Sequence, residues 1–110
     1  MRSVFLVVST CCSSQEEARA IARLAVTARL AACASVEPVD SYYRWEGVVH
    51  QATEYRVSLK TVEERVKALE ELVRSHHSYE LPAFTMVELL GGSREYLRWI
   101  EESTRPEESK

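Results

Sequence analysis

The spacing of apolar and polar residues changes several times along this chain, and each change marks an element. Ser3 to Thr10 is rich in Val, Leu and Phe and is bounded by a polar cluster, the pattern of a buried first strand. Ser13 and Glu16 then form an S-x-x-E capping box, which predicts a helix start. The apolar stripe of that helix is Ala18, Ile21, Ala22, Ala25 and Ala28, mostly small side chains that let it lie close to a sheet. A second strand is predicted from about Ala32 to Trp45, with Ser41, Tyr43 and Trp45 on one face and Tyr42 and Arg44 on the other. Pro38 cannot donate to a ladder, so this strand belongs at an edge or carries a bulge. Glu46-Gly47 is the turn into a third strand, about Val48 to Lys60. Thr61 and Glu64 repeat the capping box, and Val62, Val66, Leu69 and Val73 make the cleanest helical stripe in the chain. Ala83 to Leu90 reads as a fourth strand ended by Gly91-Gly92. Ser93 caps a short helix carrying Tyr96, Leu97, Trp99 and Ile100, and the polar chain from Glu101 onward is expected to fray.

The order β-α-β-β-α-β plus a short helix predicts an α+β, ferredoxin-like split βαβ sandwich. Two helices cover one face of an antiparallel sheet of strand order 4-1-3-2, which makes strand two an edge, as Pro38 requires. Three connections then share one edge of the sheet: the chain after strand one with Cys11 and Cys12, the hairpin near His50, and the loop with His76 and His77. Strands two and three are longer than strand one, so their hairpin should project beyond the body and display Tyr42, Tyr43 and Trp45. A ribbon with unpaired edges invites pairing with another chain, and symmetric self-association is the economical outcome.

With 110 residues the chain is expected to form one domain over residues 1–103, with a disordered polar tail over 104–110. The net charge of −3 argues against a nucleic-acid binder. No apolar run is long enough to span a membrane, and no leader is expected at the start. Three cysteines, two of them adjacent, read as reduced thiols in a cytoplasmic protein.

Chemistry concentrates in His76-His77-Ser78-Tyr79-Glu80-Leu81-Pro82, a loop between a helix and a strand. Cys11, Cys12, His76 and His77 are the candidate metal ligands, since thiolate and imidazole suit copper or zinc. The competing reading packs one cysteine as a small hydrophobe and sets the histidines against the negative end of helix two. Cys33 reads as a packed structural thiol. Tyr43 and Trp45 are candidate oligomer-interface residues. Lys60 could pair with Glu80 or hold an anion in a cleft between subunits, or be plain surface. Tyr79 and Glu80 could line that cleft or only fix the loop. No Ser/His/Asp set and no glycine-rich phosphate cradle is present, so no enzyme is expected.

In its motifs the chain resembles the CutA family of divalent-cation-tolerance proteins. The matching residues are Arg29-Leu30-Ala31-Ala32-Cys33, Tyr43-Arg44-Trp45-Glu46-Gly47, Leu59-Lys60-Thr61, His77-Ser78-Tyr79-Glu80-Leu81-Pro82 and Tyr96-Leu97-Arg98-Trp99-Ile100. The resemblance implies a homotrimer, with hairpins paired between subunits, linked to tolerance of copper and other divalent cations. It also implies a kinship of shape with the PII signalling proteins, which bind small effectors between subunits. A trimeric copper-binding protein and a PII-like effector-binding scaffold are therefore the two functional expectations. The copper ligands attributed to the family are a cysteine, a histidine and a glutamate; Thr10 stands at the first position, His76 at the second and Ala83 at the third. The attributed set is thus incomplete here, with Cys11 and Cys12 adjacent to the first position.

Overall fold

The computed structural model describes residues 3–106. Its elements are β1 (Phe5–Cys12), α1 (Gln15–Thr27), β2 (Cys33–Trp45), β3 (Val48–Val62), a single 3₁₀ turn (Glu63–Arg65), α2 (Val66–His76), β4 (Thr85–Glu88) and α3 (Arg94–Ser103). The strands form one sheet of order β2-β3-β1-β4, and every pairing is antiparallel. This is the expected order.

Side chains on β1 alternate strictly, so Leu6, Val8, Thr10 and Cys12 face inward and Cys11 faces the other side of the sheet. The inward face of β1 joins Val57 and Leu59 of β3 against Ile21 and Ala25 of α1 and Leu69 and Val73 of α2. α3 closes the opposite face at one end, where Ile100 packs with Ala32 and Val62.

Four local expectations change. Ser14, not Ser13, caps α1, because the Ser14 hydroxyl is the one that accepts the Glu17 N–H, at 3.1 Å. The second capping box does not form. Thr61 stays in β3 and its buried hydroxyl donates to the Leu30 carbonyl at 2.7 Å, so Val62 also belongs to the strand and α2 begins only at Val66. β4 is four residues long, since it meets β1 only from Leu6 to Ser9; the bond from Leu89 N–H to the Phe5 carbonyl closes its end.

The fraying expected from Glu101 does not occur: α3 continues to Ser103, and Thr104 is buried. Two guanidiniums hold this end. Arg29 donates to the carbonyls of Glu102 and Arg105, and Arg65 to that of Thr104 at 2.8 Å. Cations at these carbonyls satisfy orphan acceptors and the negative helix end together. Residues 107–110 of the expected tail lie outside the described residues.

The hairpin projects as the strand lengths require. β1 pairs with β3 only as far as Tyr55, while β2 and β3 continue together to Trp45 and Val48. The ribbon beyond Tyr55 spans roughly 23 Å at the usual rise per residue. It closes through Glu46 (φ 51) and Gly47 (φ 78), both in the left-handed region, as a two-residue hairpin turn demands.

Candidate functional site

Three connections bring Cys12, Glu17 and His77 to one point. Cys12 is the last residue of β1 and is fully buried on the helix-facing side. Glu17 lies in the first turn of α1, which places its carboxylate over the end of β1. His77 follows α2 with extended backbone (φ −97, ψ 135), which turns its ring back under the loop. One donor atom from each residue falls within 4.8 Å of the others. The Cys12 sulfur is 3.9 Å from His77 Nε2, and His77 Nδ1 is 3.5 Å from a Glu17 oxygen.

Both ring nitrogens of His77 are already engaged. Nε2–H donates to the Cys11 carbonyl at 2.8 Å, and Nδ1 accepts the Tyr79 N–H at 3.2 Å. These partners favour a proton on Nε2, because an acceptor faces that nitrogen and a donor faces the other. Glu17 Oε1 accepts the Ser78 N–H at 3.2 Å, whereas Oε2 is buried with no hydrogen-bond partner. Burial first, and the Glu17 carboxylate second, push the Cys12 thiol up to about 12, so it holds its proton at neutral pH.

The group is chemically suited to a borderline or soft divalent cation. Thiolate, imidazole and carboxylate are the usual zinc and copper donors, and ligand atoms around a tetrahedral ion sit about 3.5 Å apart. An orphaned, buried carboxylate oxygen beside a thiol and an imidazole is the atom that a cation would satisfy.

Other candidate ligands lie elsewhere. Cys11 contributes only its carbonyl here, because strand alternation sends its thiol through to the opposite face. His76 is exposed at the end of α2, where Nδ1 is 2.9 Å from the Leu72 carbonyl of its own helix. His50 is out on the ribbon, stacked on Tyr43 with ring centroids 5.5 Å apart. Thr10 shares the inward face with Cys12, and its buried hydroxyl has no partner. Glu17 was missed in the sequence. Its signal was the alternative box Ser14-Gln15-Glu16-Glu17, which sets Glu17 three residues after the true cap.

A cleft of about 640 Å³ opens on the opposite face of the sheet, at the root of the ribbon. Cys11, Tyr43, Trp45, Glu54, Tyr79, Glu80 and Ala83 are among its lining residues. Tyr79 crosses the sheet edge from the histidine loop and donates its hydroxyl to Glu54 at 2.7 Å. Burial, and then Glu54, push the Tyr79 phenol upward, so it remains a donor. Lys60 is not part of this cleft within the subunit. It sits six positions along β3 from Glu54, roughly 20 Å away, and donates to the Tyr96 hydroxyl at 3.1 Å. The Cys33 sulfur is 3.7 Å from that same hydroxyl.

A four-stranded antiparallel sheet backed by helices, with a buried thiol, imidazole and carboxylate at one edge, defines a small α+β protein with a candidate soft-cation group. The model of the CutA1 divalent ion tolerance protein family matches residues 6–103, and the chain belongs to that family. The Thermus thermophilus divalent-cation tolerance protein CutA is 39% identical over 92 residues, 83% of this chain and 89% of that protein. The Archaeoglobus fulgidus CutA is 36% identical over 90 residues, covering 82% and 88%. The solved structure described as the periplasmic divalent cation tolerance protein CutA from Archaeoglobus fulgidus superimposes with a TM-score of 0.90 at 32% identity, over 92% of this chain and 99% of that one. An Arabidopsis thaliana relative, 34% identical over 101 residues, is described as chloroplastic.

Proposed function

We propose that this divalent-cation tolerance protein works as a homotrimer that binds the cation directly, with Cys12, Glu17 and His77 of each subunit as ligands. The orphaned, buried Oε2 of Glu17 beside the thiol and imidazole carries this reading. A bound copper or zinc ion would supply positive charge that neutralises Glu17 and displaces the thiol proton. The protein's own part is to keep the three donors together: the end of β1, the first turn of α1 and the histidine loop are tied by the Ser78 and Cys11 backbone bonds. His77 gives up one of its two hydrogen bonds on binding, at a cost of about 1 kcal/mol.

Three observations support the trimer: the projecting ribbon, its exposed Tyr42, Val48 and Val49, and the half-exposed Tyr43 and Trp45. No catalytic role is assigned, since the buried thiol is held protonated and no base is oriented toward a reacting position. Three free cysteines fit a reducing compartment such as the cytoplasm. Among the described residues no helix is long and apolar enough to cross a membrane.

The test is an anaerobic copper(I) and zinc titration of the reduced protein by calorimetry. Cys12→Ser/Glu17→Gln/His77→Gln is titrated beside it, with His76→Ala as control and light scattering for oligomeric state. Saturable binding at one ion per subunit, kept in His76→Ala and lost in the triple variant of unchanged oligomeric state, supports the reading. Binding that survives the triple variant overturns it.

A further inference from the structure

We infer that Tyr79 is a positioning residue for the cation site: its backbone N–H covers the His77 nitrogen that must take the cation, and its phenol, anchored on Glu54, holds that cover in place. This inference rests on the reading of Cys12, Glu17 and His77 as ligands and concerns how that site opens.

Only one nitrogen of His77 can take a cation while the other keeps the ring proton. Nε2–H donates to the Cys11 carbonyl at 2.8 Å, and Nδ1 accepts the Tyr79 N–H at 3.2 Å. Ligation through Nε2 would put the ring proton on Nδ1, facing the Tyr79 N–H, and both bonds would be lost. Ligation through Nδ1 gives up one bond and leaves Nε2–H on a backbone carbonyl, the usual outer partner of a metal-bound imidazole. Nδ1 is also the nitrogen that faces Glu17, at 3.5 Å from Oε2. The Cys12 sulfur, 3.9 Å from Nε2, is the one contact that favours the other nitrogen, and two lost hydrogen bonds outweigh it.

A zinc or copper ion sits about 2.0–2.1 Å from an imidazole nitrogen. The Tyr79 amide nitrogen already stands 3.2 Å from Nδ1 on its accepting side, so the amide has to withdraw before a cation fits there. Its withdrawal is resisted from two directions. The Tyr79 ring lies against the His77 ring with centroids 5.0 Å apart, and the Tyr79 hydroxyl donates to the buried Glu54 carboxylate at 2.7 Å. A hydrogen bond to a carboxylate is among the stronger kinds. The preceding residue is no freer, since the Ser78 N–H is held by Glu17 Oε1 at 3.2 Å. Movement of the Tyr79 amide therefore pulls on the Glu54 bond across the sheet edge. By linkage, cation binding and loss of the Tyr79–Glu54 bond favour each other by the same factor.

The experiment titrates zinc into the reduced, assembled protein by calorimetry and reads the His77 ring nitrogens by ¹⁵N NMR. Zinc is expected on Nδ1, with Nε2 still protonated and the Tyr79 amide resonance shifted. Tyr79→Phe, with assembly confirmed by light scattering, should bind zinc about three- to tenfold more tightly, because the lost hydrogen bond no longer opposes opening. Glu54→Gln keeps an oxygen acceptor for the phenol and should change affinity less. A purely structural Tyr79 predicts the opposite sign, since removing a support weakens the site. Zinc on Nε2 overturns the inference from the parent protein alone, whatever the variant does. Affinity unchanged or lowered in Tyr79→Phe overturns it as well, and either result leaves the ligand reading standing. Absent binding in the parent, or binding that survives Cys12→Ser/Glu17→Gln/His77→Gln, removes the ligand reading and this inference with it.

Discussion

Replacing Glu17 with glutamine keeps the shape of the side chain and removes its charge, which separates a ligand from a structural tie. In the metal-free protein Oε1 accepts the Ser78 N–H, and a glutamine oxygen can keep that bond. Oε2 is buried without a partner, and an unsatisfied buried acceptor costs about 1–3 kcal/mol, more when charged. Against this, a carboxylate in the first turn of α1 interacts with the helix dipole for about 0.3–1 kcal/mol, and that is lost. The balance leaves Glu17→Gln between unchanged and about 2 kcal/mol more stable than the parent. Metal binding should move the other way. Removing even a supporting partner around a bound ion typically costs 10–100-fold in affinity, so losing a charged ligand should cost at least about 100-fold. Denaturant unfolding without metal and calorimetric titration with zinc read the two quantities separately. A variant more than about 1 kcal/mol less stable, with zinc affinity unchanged, would refute the reasoning and make Glu17 a tie for the histidine loop.

Because a cation must displace the Cys12 proton, held up to about 12, affinity should rise about tenfold per unit between roughly pH 6 and pH 8. Calorimetry in buffers of different ionisation heat should also show proton release, and a pH-independent affinity would place the cation elsewhere. Leu59→Ala, at a fully buried position between sheet and helices, should lower stability by about 2–5 kcal/mol in denaturant unfolding. Arg29→Gly relieves a left-handed backbone (φ 62) worth about 1–2 kcal/mol, yet removes two charge-assisted bonds to the end of α3. The net should be a loss of about 1 kcal/mol with faster amide exchange near Ile100, and a variant as stable as the parent would dismiss the clamp. Trp45→Glu should convert the proposed trimer to smaller species by light scattering, and an unchanged mass would move the interface away from the ribbon.

Strand alternation explains why the candidate site was only half legible. Cys11 and Cys12 are equivalent as neighbours in a list of residues, but a strand sends consecutive side chains to opposite faces. Applied to β1, that rule already separates the two thiols. His76 and His77 are likewise adjacent, yet one ends α2 and bonds its own helix while the other begins the loop and turns inward. That split depends on where the helix stops, which shifts easily by a residue. Glu17 was hidden because two overlapping capping boxes, starting at Ser13 and Ser14, are both consistent with the residues, and only the packed helix selects the second.

What the chain determines by itself is periodicity. Strand and helix spacing, the Glu46-Gly47 turn, Pro38 on an edge strand and the unequal strand lengths were enough to derive the sheet order and the projecting ribbon, because these follow from local backbone rules. What only the tertiary structure decided is which distant groups meet. Thr61 left its expected helix cap for the Leu30 carbonyl, Arg29 and Arg65 held the chain end that polarity suggested would fray, and Tyr79 crossed the sheet edge to reach Glu54. Each contact joins a polar group to a partner far along the chain. Local spacing carries no record of such partners, because they are chosen by burial and packing after the elements have formed.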